Sequence, residues 1–125
     1  VHGSEPVGHA YPGKGDTYPT ELLRFAERYP NATIVCAHWG GGLPFYELMP
    51  EVQAALTNVF FDTAASPFLY GPSVFPTVAR AAGAGKVLFG SDFPLVRPGR
   101  IMDEVRAGLH PHEAQAVLEY LQSLE

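Results

Sequence analysis

Three short apolar runs punctuate the chain: Thr33-Ile34-Val35-Cys36-Ala37, Val59-Phe60-Phe61 and Val87-Leu88-Phe89. Within each run the apolar residues are continuous and do not alternate with polar ones. That pattern predicts strands buried on both faces, as in a parallel sheet. Helical patterns lie between them. Thr20 to Tyr29 gathers Leu22, Leu23, Phe25 and Ala26 on one side and is stopped by Pro30. Phe45 to Leu56 reads as helix with a break near Pro50. Ser73 to Ala82 is helical, with Pro76 in the first turn, where proline is tolerated. Ile101 to Ala107 and His112 to Leu124 read as the last two helices. With a strand end at Val1, strands and helices alternate along the chain, which predicts right-handed βαβ units on a parallel sheet.

The 13 glycines and 12 prolines fall between the apolar runs, as connections in such a fold require. The 125 residues suit one domain spanning 1–125. The net charge of −5, with scattered Lys and Arg, argues against nucleic-acid binding. No apolar run reaches membrane-spanning length, and the opening residues do not read as a signal peptide. Cys36 cannot form an internal disulfide, since it is the only cysteine. Together these features predict a cytoplasmic protein with Cys36 as a small buried apolar residue. The initial Val1 points to a trimmed or incomplete chain.

Polar residues recur just past each strand: His38-Trp39-Gly40-Gly41-Gly42, Asp62-Thr63-Ala64-Ala65-Ser66 and Gly90-Ser91-Asp92-Phe93-Pro94. Successive strand carboxyl ends are where α/β barrels build active sites. His38 reads as a metal ligand or as a histidine bonded within a turn. Asp92 reads as a ligand, a general base for bound water, or a turn aspartate ahead of Pro94. His2 ends the preceding strand, with His9 as the competing ligand in the Gly8–Gly15 loop. Asp62 reads as mainly structural. His110-Pro111-His112 opens a helix and is not a ligand pair. Gly83-Ala84-Gly85-Lys86 lacks the residues of a phosphate loop and precedes a strand.

Val35 to Gly42, Val59 to Ala64 and Val87 to Pro94 together resemble the amidohydrolase-related family (amidohydrolase family 2) of metal-dependent hydrolases, a (β/α)8 barrel. The resemblance runs from His2 to about Ala107. It implies a TIM-barrel-type partial barrel covering strands five to eight. It also implies His2 and His38 as metal ligands, and Asp92 as ligand and catalytic acid–base. The metal expected is zinc first, with manganese or iron as alternatives. The family's first-strand His-x-His pair has no counterpart here, and the usual Asn-Ala-x-Arg segment is absent.

The expected reaction is attack of metal-activated water on a carbonyl-type carbon. Decarboxylation or hydration is an alternative, and a non-catalytic barrel fragment or interaction module another. His9, Tyr11, Lys14, Trp39 and Arg97, with Tyr70, stand in strand-end loops as candidates to contact a small-molecule substrate. Lys14 or Arg97 would hold a carboxylate. Half a barrel leaves sheet edges open, which predicts self-association or pairing with a missing barrel half.

Overall fold

The three apolar runs form parallel strands, β1 (Ile34–Cys36), β2 (Val59–Asp62) and β3 (Val87–Leu88), in the order β1-β2-β3. The computed structural model describes the backbone of residues 1–123 and the side chains of residues 1–119. Ile34 pairs with Val59 and Cys36 with Phe61, while Phe61 pairs with Val87 and Asp62 with Leu88. A parallel bridge from His2 to Ala37 adds the start of the chain outside β1. It is fastened by the Ala37 amide donating to the Val1 carbonyl at 2.8 Å. Chain order and spatial order therefore agree across the sheet, as in TIM-barrel-type βα units.

The helices are α1 (Pro19–Arg28), α2 (Pro50–Ala55), α3 (Ser66–Leu69), α4 (Val74–Ala81), α5 (Pro98–Gly108) and α6 (Pro111–Ser123). Prolines near the starts of α1, α2, α3 and α5 fit because the first turn has amide groups with no helical partner. In α4, Val74, Phe75, Val78 and Ala81 are buried, one face at helical spacing. Pro111 opens α6, so the His110-Pro111-His112 reading as a helix start agrees with the structure. Residue Leu124, the expected helix end, lies outside the described residues.

The expected helix from Phe45 to Leu56 is divided more deeply than Pro50 alone requires. His38–Leu48 is a tight succession of turns, and regular helix begins only at Pro50. His38, Trp39, Gly40, Gly41 and Gly42 all have positive φ, between 56° and 98°. Three of the five are glycines, the residue for which this conformation carries no steric penalty. The short α3 and a single turn at Ala84–Lys86 are further elements that the apolar pattern does not reveal.

The two faces of the sheet differ. Ile34, Cys36, Val59, Phe61 and Val87 are buried with helix residues in the core. Burial pushes the Cys36 thiol up to about 11, so it is protonated and unreactive at neutral pH. The opposite face is open: Val35 and Leu88 are each 37% exposed, and Phe60 is half-buried. In a closed barrel this face would be interior.

Glu47 stands apart in the core. It is 4% exposed, and its Oε1 finds no hydrogen-bond partner among the described residues. Burial pushes its carboxyl up to about 7, with Lys86 opposing the shift. Between about pH 4.5, its ordinary value, and about pH 7, the folded chain holds a proton that the unfolded chain releases. Stability is therefore greatest below about 4.5 and falls as pH rises through about 7. The loss is at most about 3 kcal/mol. Glu47→Gln should flatten this slope and be the more stable form at pH 8. Urea titrations across pH 4–8 check it, and parallel slopes for the two proteins would refute it.

Candidate active site

The strand ends are tied together before any site residue is placed. Thr63 Oγ1 donates to the Gly90 carbonyl at 2.8 Å and accepts from the Gly90 amide at 3.0 Å, joining the ends of β2 and β3. Ser66 Oγ donates to the Thr63 carbonyl at 2.6 Å and accepts from Trp39 Nε1 at 2.7 Å. Asp62 Oδ1 accepts from the His38 amide at 2.9 Å and the Ala64 amide at 3.0 Å. Asp62 thus holds the turn that carries His38, which agrees with its structural reading.

His38 is oriented at both backbone and ring. Its Nδ1 lies 3.1 Å from the Ala64 carbonyl oxygen, which can only accept. Nδ1 is therefore the protonated nitrogen, and a neutral ring keeps its lone pair on Nε2. A carbonyl partner of this kind fixes the tautomer of metal-binding histidines. The His2 ring stands edge-on to that of His38, with centroids 4.6 Å apart. The bridge to Ala37 places His2 there, beside the residue preceding His38.

A pocket of about 270 Å³ opens at these strand ends. His2, His9, Tyr11, His38 and Asp92 supply its polar wall. Ala65, Phe68, Leu69 and Leu95 supply its apolar wall. Asp92 has φ 66°, a conformation uncommon for a non-glycine residue, and its carbonyl accepts from the Leu95 amide at 2.9 Å. Strained backbone of this kind clusters at functional sites. His9 and Tyr11 stack at 5.7 Å and enter from the loop after His2.

The donors suit a divalent transition metal in kind: two imidazoles, one with its lone pair directed by a carbonyl, and a carboxylate. In number they fall short. Among the described residues no three His, Cys, Asp or Glu side chains converge closely enough to hold an ion. His2 and His38 pair, and Asp92 lines the same pocket.

Four expected pocket residues stand elsewhere. Trp39 is fully buried, packed edge-on against Phe75 at 5.3 Å. Its indole lies in the core, and Trp39 does not line the pocket. Lys14 donates from Nζ to the His9 carbonyl at 2.9 Å and the Val7 carbonyl at 3.2 Å. It clasps the loop that presents His9 and Tyr11, and it is not on the pocket wall. Arg97 is exposed just before α5 and does not line the pocket. Tyr70 donates to Glu5 Oε1 at 3.0 Å in a neighbouring crevice, and burial, then Glu5, pushes its phenol up. Ala65, Phe68, Leu69 and Leu95 escape a sequence reading because nothing distinguishes them from core residues. Only the neighbouring Asp62–Ser66 strand end hints at them.

Comparison with known proteins adds an independent line. The Amidohydrolase family model matches residues 11–119. The 6-methylsalicylic acid decarboxylase of Penicillium expansum is 33% identical, over 62% of this chain and 31% of that protein. The crystal structure of 5-carboxyvanillate decarboxylase from Sphingomonas paucimobilis superposes with a TM-score of 0.67 at 16% identity, covering 94% of this chain and 45% of that one. Dihydroxybenzoic acid decarboxylase from Polaromonas sp., with bound manganese and the inhibitor 2-nitroresorcinol, gives 0.65 at 15% identity, covering 79% of this chain and 36% of that one. At such identities the structures speak for the fold alone. The chain spans less than half the length of each of these proteins.

Proposed function

The chain belongs to the amidohydrolase family, and on that premise we propose that it forms the carboxyl-terminal half of a metal-dependent site that decarboxylates a hydroxylated benzoic acid. The observation that carries this reading is the mixed lining of one pocket. Imidazoles, a carboxylate and four apolar residues line about 270 Å³, more than the ~150 Å³ cavity known to admit benzene. The relatives named above are decarboxylases of aromatic acids, which favours decarboxylation over hydrolysis for the same ligand set.

In this reading His2, His38 and Asp92 are the donors that these residues would contribute to the ion, the remaining donors lying elsewhere in the complete site. Manganese is favoured because one structural relative carries it. When bound, such an ion polarises substrate oxygens and draws negative charge towards them. Phe68, Leu69 and Leu95 hold the ring and exclude water from one face. His9 and Tyr11, held by the Lys14 clasp, close the opposite side. Asp92, having taken up a proton from solvent, would hand it to the ring carbon that bears the carboxylate and be left as the carboxylate. The carbon–carbon bond then breaks, its electron pair returns to the ring and carbon dioxide leaves.

The test is metal content per chain after purification without chelator and supplementation with manganese or zinc. About one ion per chain is expected, with His38→Ala lowering affinity at least about tenfold. A folded sample that takes up no metal above background would sink the donor assignment.

A further inference from the structure

We propose that Glu5, positioned by Tyr70, sets which aromatic acids this site takes: acids with a hydrogen-bond donor on the ring edge remote from the acid group are selected, and those with a second carboxylate there are rejected. The inference rests on the aromatic-acid reading above and adds a specificity-determining residue to it.

The pocket lined by His2, His38 and Asp92 does not stand alone. A second crevice of about 330 Å³ adjoins it. His9 and Leu69 line both, so the two meet at one imidazole and one aliphatic side chain. Lys14 steadies this border, because its two acceptors, the Val7 and His9 carbonyls, belong to residues that line the crevice. A ring with its acid group towards the imidazoles and its flank against Leu69 presents its far edge to the crevice.

The crevice sets one carboxylate among aromatic rings. Phe45, Tyr46 and Tyr70 line it with Glu5. The Tyr70 hydroxyl donates to Glu5 Oε1 at 3.0 Å, and its ring stands edge-on to Phe45 at 5.7 Å. Burial, then Glu5, pushes the phenol up, so Tyr70 remains the donor and Glu5 the acceptor. Glu5 is half-buried, and among the described residues its Oε2 has no hydrogen-bond partner. No cationic side chain pairs with it there either.

A carboxylate accepts at both oxygens, so Glu5 keeps acceptor capacity that the protein leaves unfilled. A hydroxyl or amino group on the ligand fills it. A methyl ether has no proton to give, and a ligand carboxylate meets a like charge in partly desolvated surroundings. A polar group of this kind discriminates against an analogue lacking the donor more strongly than an apolar wall does.

Calorimetric titration of the manganese-supplemented chain reads the selection without turnover. The ligands are salicylates carrying hydroxyl, methoxy or carboxylate at the 4- or the 5-position, each measured relative to salicylate itself. At one of the two positions the hydroxyl form should bind about tenfold more tightly than the methoxy form, as a hydrogen bond to a charged acceptor provides. The carboxylate form should bind most weakly. Glu5→Gln keeps the shape, removes the charge and gains a donor, so its affinity for the carboxylate form should rise at least about tenfold. Tyr70→Phe frees Glu5 without discharging it. That variant should narrow the hydroxyl-to-methoxy ratio and still reject the carboxylate form, which keeps the test decisive if Glu5→Gln does not fold. Salicylates that bind wild type with no such order, or with the same order in folded Glu5→Gln, overturn the role of Glu5 and leave the aromatic-acid reading standing. Binding of none of the ligands overturns both.

Discussion

Trp39→Ala should cost the fold about 3–5 kcal/mol, the range for deleting a large buried aromatic side chain. Folded domains of this size are stable by only about 5–15 kcal/mol, so the variant should be largely or partly unfolded near 37 °C. The indole is fully buried against Phe75 and donates to Ser66, whose hydroxyl in turn holds the Thr63 carbonyl. Its loss leaves a cavity and an unpaired acceptor beside the link between β2 and β3. Trp39→Phe should lose mainly the hydrogen bond, about 1–2 kcal/mol. Circular dichroism in urea is the suitable probe, since Trp39 is the only tryptophan. Equal, small losses for both variants would show that the indole is not the core anchor described.

Gly41→Ala should cost about 2–5 kcal/mol, from two additive causes. Its φ of +64° is left-handed, which costs a residue with a Cβ about 1–2 kcal/mol. The new methyl also runs into the Ser4 backbone carbonyl. Ser4 cannot retreat easily, because it is buried and its amide donates to the Thr17 carbonyl at 2.9 Å. Overpacking of this kind adds about 1–3 kcal/mol. Gly8→Ala is the control: φ is +83°, yet nothing lies within 4 Å of the added carbon. It should show the backbone cost alone, about 1 kcal/mol. Thermal melts of the two variants beside wild type check the difference. Similar melting temperatures for both would mean that the contact with Ser4 does not constrain the turn.

Both effects sit in the His38–Leu48 segment, where the sequence was least legible. The strands and most helices could be read because their signal is local: continuous β-branched runs, helical spacing in Val74-Phe75-Val78-Ala81, and prolines at helix starts. Boundaries moved by a residue or a few, with Pro98 starting α5 ahead of the expected Ile101. The placement of His2 and His38 also followed from position at strand ends. The fate of Trp39 did not, because five successive positive φ values reverse the direction that adjacency to His38 suggests. Lys14 looked like a carboxylate binder from its charge. Only the folded loop shows its ammonium already occupied by two carbonyls. The Trp39–Ser66–Thr63–Gly90 chain joins residues far apart in sequence, and small polar residues carry no local mark of such partners.

The central claim is the chemistry of the pocket, and carbon dioxide release tests it most directly. The manganese-loaded chain would be incubated with hydroxylated benzoic acids such as 6-methylsalicylate and 2,6-dihydroxybenzoate, beside amide and ester substrates. Release of carbon dioxide, abolished by Asp92→Ala and His38→Ala, with no hydrolysis, is the expected result. Hydrolysis of the amides or esters by the same metal-loaded sample, without carbon dioxide release from any aromatic acid, would contradict the account.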